Sequence, residues 1–244
     1  GKGCTIGTTM TIKDKAVPNV VGVDIGCGMY TVNLGNIKID FEKVDEAAHF
    51  IPSGRNVWEG RQEKFDLTKL RCYRELKNTK WLERSLGTLG GGNHFIEIDE
   101  AADGTKYLII HSGSRNLGKQ VAEFYQQLAV NLDRGYGEYL EKRDEIIRTY
   151  KEQGRRKEIQ QALEKLHLQV YESETNMPED LCFLSGKYLD DYLYDVEICQ
   201  AFAKRSREKM AEIILERTGM LGREAFHTIH NYIDIKEMIL RKGA

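Results

Sequence analysis

Along the first forty residues, apolar and β-branched positions come in short runs separated by glycine. "CTIGTTMTI", "VPNVVGVDIG" and "MYTVNLG" each read as a β-segment. Residues 60–85 turn helical and charged. "GTLGGGNHF" (87–95) is a glycine-rich loop that runs into "FIEID", which alternates as a strand does. "KYLIIHSGS" (106–114) predicts a second strand ending on His111. Leu117, Val121, Phe124, Tyr125 and Leu128 then recur at helical spacing across 115–131. Residues 133–172 predict a helical excursion off the core, broken at Gly154, with a solvated charged face. Residues 192–215 form a long amphipathic helix. No internal repeat or low-complexity stretch is present. Helices flanking a mixed or antiparallel β core give an α+β fold, read as one domain over 1–244.

Composition narrows the class. The chain has 244 residues, 41% hydrophobic and 30% charged, with a formal net charge of −2. That is enough to bury a core and too little positive charge for a protein that coats nucleic acid indiscriminately. No apolar run reaches the roughly 18 residues of a membrane span, and no signal peptide is expected. Five scattered cysteines, Cys4, Cys27, Cys72, Cys182 and Cys199, suggest reduced thiols and a cytoplasmic home. Both ends read as cut: the chain opens on Gly1 and closes on "LRKGA" just after an amphipathic run.

The chemistry concentrates where apolar segments meet loops. Asp24 and Cys27 stand three residues apart after the valine run, with Gly26 and Gly28 on either side of the thiol. His94 follows three glycines and Asn93, His111 ends a strand, and His230 stands in "HTIHNYI". Each alone fits an ordinary buried residue; together they make one carboxylate, one thiolate and three imidazoles on rigid supports. A closed structural zinc site needs four ligands, usually cysteine-rich. Five of mixed type suit two adjacent ions with a bridging thiolate, a device for phosphoryl chemistry. Ligand type leaves manganese, zinc, iron and cobalt open. In "HSGSRNLG", Ser112, Gly113 and Ser114 precede a helix that Arg115 begins, which suits either a phosphate or a simple helix cap. The ligands alone fit a dinuclear metal-dependent phosphoesterase; a non-catalytic structural metal or RNA-binding domain is the non-enzyme alternative. A redox role for Cys27 lacks a nearby resolving cysteine.

"DIGCGM" (24–29), "GTLGGGNHFIEI" (87–98), "HSGSRNLG" (111–118) and "HNY" (230–232) together resemble the RtcB family of RNA-splicing ligases. "GKGCTIGTTM" resembles the family segment that follows a "PDxH" motif, itself absent. "YLYDVEICQAFAKRSREKM" resembles its "YLxDMxxAQxYAxxNR" helix, with Ser206-Arg207 in place of "NR". The similarity spans nearly the whole chain except about 130–175. It implies joining of RNA 3′-phosphate or 2′,3′-cyclic phosphate ends to 5′-hydroxyl ends, with GTP and two Mn2+ ions. Such ends arise in tRNA halves or broken RNAs, and an archease-type activator is an implied partner. Asp24, Cys27, His94, His111 and His230 would be the manganese ligands, with Cys27 bridging. Cys27 and Asn93 would be catalytic. Asn93, His94, Phe95, Ile96 and Glu97, with His230 and Asn231, would line the GTP site, and Arg115 would take an RNA phosphate. The family's nucleotide-carrying histidine lies in an "HGAGR" motif that this sequence lacks; His49, His167 and His227 have no such surroundings. The expectation is therefore metal and partial nucleotide binding without self-guanylylation.

Overall fold

A computed structural model describes residues 4–171 and 175–243, the side chains of 169–171 excepted. In chain order the elements are β1 (Thr9–Thr11), β2 (Lys15–Ala16), α1 (Pro18–Val21), β3 (Gly28–Gly35), α2 (Phe41–Phe50), α3 (Thr79–Arg84), β4 (Phe95–Glu100) and β5 (Lys106–Ser112). There follow α4 (Arg115–Asp133), α5 (Tyr136–Glu152), α6 (Ile159–Tyr171), β6 (Leu184–Ser185), α7 (Gly186–Thr218), β7 (Ala225–Ile229), β8 (Asn231–Asp234) and β9 (Ile239–Lys242). Helices flank antiparallel sheets, an α+β fold.

The main sheet has the order β4-β5-β3-β7, every neighbour antiparallel. Strand alternation puts Val32, Leu108, Ile110 and the flanking Ile96 and Ile98 on one face, packed against α2 and α7. β1, β9 and β8 form a second sheet, and β2 pairs with β6.

α7 is the spine. Its buried residues recur every three or four positions, from Tyr192, Val196, Cys199 and Phe202 to Met210, Ile213 and Ile214. The first group joins the core with Val20, Ile25, Leu117 and Tyr125; the second joins the core under the main sheet. Between them, on the same stripe, lie the fully buried Ser206 and Arg207.

Four expectations change. The valine run is not a strand: Pro18–Val21 makes one helical turn, begun by Pro18 at its start and ended by Gly22 at φ +89°. Most of 60–85 is irregular or in single 3-10 turns, with regular helix confined to α3. α2 and β7–β9 were not foreseen. The excursion is two helices as predicted, but α4 runs through Asp133, so it starts at Tyr136; residue 172, and residues 1–3 of the opening motif, lie outside the described residues.

Candidate metal centre

Antiparallel pairing collects the site at one end of the main sheet. Gly28, the first residue of β3, pairs with Ser112 at the end of β5 and with Ile229 at the end of β7. Phe95, the first of β4, pairs with His111. Cys27 and His94 immediately precede their strands and His230 immediately follows its own, so the four side chains meet. Backbone bonds tighten this convergence: His230 N–H donates to Cys27 O at 3.0 Å, and Gly26 N–H donates to Asn231 O at 2.7 Å. Asp24 joins through a turn closed by Cys27 N–H onto its carbonyl.

Glycine has two distinct jobs here. Gly26 sits at φ +77°, a left-handed turn conformation. A Cβ on Gly28 would strike the Thr228 carbonyl of the adjoining strand, and one on Gly113 would fall on the Asp24 carboxylate.

Five donor atoms form two groups that share Cys27. Asp24 Oδ2 lies 3.0 Å from His94 Nε2, which lies 3.6 Å from Cys27 Sγ. That sulfur lies 3.3 Å from His111 Nε2, itself 3.2 Å from His230 Nε2. Within each group of three, Asp24/Cys27/His94 and Cys27/His111/His230, all ligand atoms lie within 4.8 Å of one another.

The donor set fits a metal. His94 Nδ1 lies 3.0 Å from the Leu89 carbonyl and His111 Nδ1 lies 3.0 Å from the Asn93 carbonyl. A carbonyl only accepts, so both Nδ1 atoms carry a proton; His111 Nε2 then presents a lone pair to the cluster, while His94 Nε2 faces the Asp24 carboxylate, which also only accepts, and would present its lone pair once a metal displaces the proton between them. Several lone pairs converging in a half-buried pocket are what a divalent cation neutralises.

Charge is balanced accordingly. Burial works to raise the Asp24 carboxyl, but the hydrogen bond and charge of His94, with help from Cys27 and Arg115, hold it below the ordinary carboxylate range. Burial, then the Asp24 charge, push the Cys27 thiol well up. Burial holds His111 and His230 down. Arg207 is lowered to about 10 by burial.

Two loops and the end of β5 are anchored from α7, a role the sequence reading missed. Arg207 Nη1 donates to Gly26 O at 2.8 Å and to Ser112 O at 2.7 Å. Ser206 Oγ accepts the Gly87 N–H at 2.9 Å, at the start of the glycine loop. The signal was present as a serine and an arginine on the buried stripe of an amphipathic helix, where an unpaired charge is costly.

The remaining predicted residues fall as follows. The Phe95 ring lies 5.2 Å from the His111 ring, and alternation puts Glu97 on that face. Ile96 points the other way into the core, so it offers the site only backbone. Asn93 is exposed beside His94. Asn231 Oδ1 accepts from Gly243 N–H. Arg115 stands at φ +58°, a strained position for a side-chain-bearing residue, and donates from Nε to Thr88 Oγ1 and from Nη2 to Gly54 O. All five cysteines are free. Among the described residues, no helix is long and apolar enough to cross a membrane.

The profile of the family described as tRNA-splicing ligase RtcB matches residues 59–244. RNA-splicing ligase RtcB of Escherichia coli K12 is 28% identical over 290 residues, covering 100% of this chain and 61% of the relative. RNA-splicing ligase RtcB1 of another Escherichia coli strain is 29% identical over 291 residues, with the same coverage. The tRNA-splicing ligase RtcB of Thermococcus kodakarensis is 38% identical over 66 residues, 21% of this chain and 14% of the relative. The chain thus spans 61% of the length of the two Escherichia coli relatives.

Proposed function

This chain belongs to the family of the tRNA-splicing ligase RtcB, and from that premise we propose that it is the metal-binding part of a manganese- and GTP-dependent RNA ligase. The reaction joins RNA 3′-phosphate or 2′,3′-cyclic phosphate ends to 5′-hydroxyl ends. The observation that carries this reading is Cys27, whose sulfur belongs to both ligand groups. Asp24 and His94 would hold one ion, His111 and His230 the other, and Cys27 both. Bound manganese supplies positive charge against phosphate oxygens, stabilising charge that builds up during phosphoryl transfer.

The chain's own residues position the phosphate ends. Asn93 is exposed next to a ligand and would donate to a phosphate oxygen without adding charge. Arg115 commits Nε and Nη2 to the protein, which leaves Nη1, packed against Gly90 beside His94, as the group that would take an RNA phosphate. Phe95, Glu97 and Asn231, with the Ile96 backbone, would border the guanine nucleotide. RNA from tRNA halves or breaks is the substrate in this reading, with an archease-type activator as partner and the cytoplasm as location.

The sequence has no "HGAGR" string, so these 244 residues would bind metal and part of the nucleotide without taking GMP covalently. Mass spectrometry after incubation with GTP and Mn2+ tests this. Unchanged mass is the predicted result; a GMP adduct contradicts it. Binding of single-stranded RNA with and without Mn2+ tests the substrate. Metal-dependent preference for a 3′-phosphate over a 3′-hydroxyl supports the reading, and equal binding contradicts it.

A further inference from the structure

A cavity of about 720 Å³ adjoins the metal centre at Asp24 and His94, and the metal chemistry does not account for its outer wall. That wall carries three cationic side chains: Arg55, Arg115 and Lys119. Trp81, half-buried on α3, contributes an aromatic surface. Apart from the candidate ligand Asp24, no carboxylate lines the cavity.

The wall is built. Arg115 Nη2 donates to Gly54 O at 2.6 Å, and Gly54 N–H donates to Gly90 O at 2.7 Å. The loop carrying Arg55 is thereby fixed to the glycine loop that carries His94. Arg55 is exposed and makes no hydrogen bond or ion pair with any described residue. Lys119 follows Arg115 by one helical turn, on the same face of α4. Its ammonium lies 3.7 Å from Glu123, with both side chains more than half exposed, a pairing that costs little to give up.

We propose that this cavity is the groove for the single-stranded RNA segment leading to the reactive 3′ end. Arg55 and Lys119 contact backbone phosphates upstream of the terminal one, and a base stacks on Trp81. Cations on two separate elements beside one aromatic wall match a polymer that alternates phosphate and base. The inference rests on the proposed RNA ligase reading and adds Arg55, Lys119 and Trp81 to it.

The test is fluorescence anisotropy of the 244-residue chain with a 3′-phosphorylated single-stranded RNA decamer, across a salt series. Arg55→Ala and Lys119→Ala should each weaken binding and flatten the log–log salt slope by roughly 0.7 to 1. Trp81→Ala should weaken binding roughly 5- to 100-fold with the slope unchanged. Manganese titration of each variant separates loss of this surface from loss of the fold. Wild-type RNA binding that all three variants match overturns the groove alone. Variants that lose GTP but keep RNA assign the cavity to a mononucleotide and also overturn it. A wild-type chain that binds no RNA removes the ligase reading as well.

Discussion

Arg207 Nη1 donates to the Gly26 carbonyl at 2.8 Å, one residue before the thiol shared by both ligand groups, and to the Ser112 carbonyl, one residue after His111. One buried cation thereby bridges the backbone beside Cys27 and the backbone beside His111, adding to the strand pairing of Gly28 with Ser112. Arg207→Met leaves both carbonyls without that donor. We expect Mn2+ affinity to fall about 10- to 100-fold, the usual effect of losing an outer support of a metal site. Calorimetric titration measures it. Arg207→Lys, which keeps one donor group, should recover part of the loss, whereas a purely space-filling role predicts that methionine and lysine behave alike.

Gly113→Ala tests one half of the site. Its new methyl would occupy the position of the Asp24 carboxylate and displace it from His94. Manganese stoichiometry should fall from two ions to one, because His111, His230 and Cys27 lie in the other group. Equal weakening of both ions would contradict the division into two groups.

Gly28→Ala should act on the fold. Here the methyl meets backbone, the Thr228 carbonyl and Ile229 Cα, and backbone cannot swing aside as a side chain can. Overpacking of this kind costs about 1–3 kcal/mol, and urea unfolding of the metal-free chain measures it. A change under about 0.5 kcal/mol would mean that β3 and β7 separate freely.

Acid should destabilise the metal-free chain through its imidazoles. Burial holds His111, His227 and His230 below the ordinary value of 6.5. Below pH 6.5 the unfolded chain takes protons that the folded chain resists, so the unfolded state binds more and stability falls with pH. The stability these groups contribute is fully present above pH 6.5 and is lost as pH drops toward their folded values. Urea midpoints at pH 7.5 and 5.5 should show the fall, and His227→Gln should reduce it. An equal fall in the variant would place the effect elsewhere.

Much of this was legible in sequence because periodicity reports burial. β4 alternates, β5 is an apolar run, and α4 repeats every three or four residues, and these formed close to their predicted spans; α7 shows the same repeat but begins six residues before the predicted 192 and ends three after 215. Val20-Val21 misled because a short β-branched run does not distinguish a buried strand from a buried helical turn; Pro18 and Gly22 were the better guides. α2 buries only Ala47, too little to leave a pattern. The five candidate ligands stood out as reactive side chains at the ends of apolar segments, and all five converge. Arg207 did not stand out, since an arginine on a long charged helix looks solvated until the strands it supports are in place. Arg55 lies in an irregular loop whose position depends on contacts with Arg115 and Gly90, which no local pattern encodes.

Cys27 Sγ, common to both ligand groups, would serve two metal ions at once. Mn2+ titration of the metal-free chain, read by bound stoichiometry and by electron paramagnetic resonance, decides this. Two ions per chain with spin–spin coupled spectra are expected, and in Cys27→Ser a loss of coupling with weakened binding of both ions. A single bound ion, or two uncoupled ions indifferent to Cys27→Ser, would contradict it.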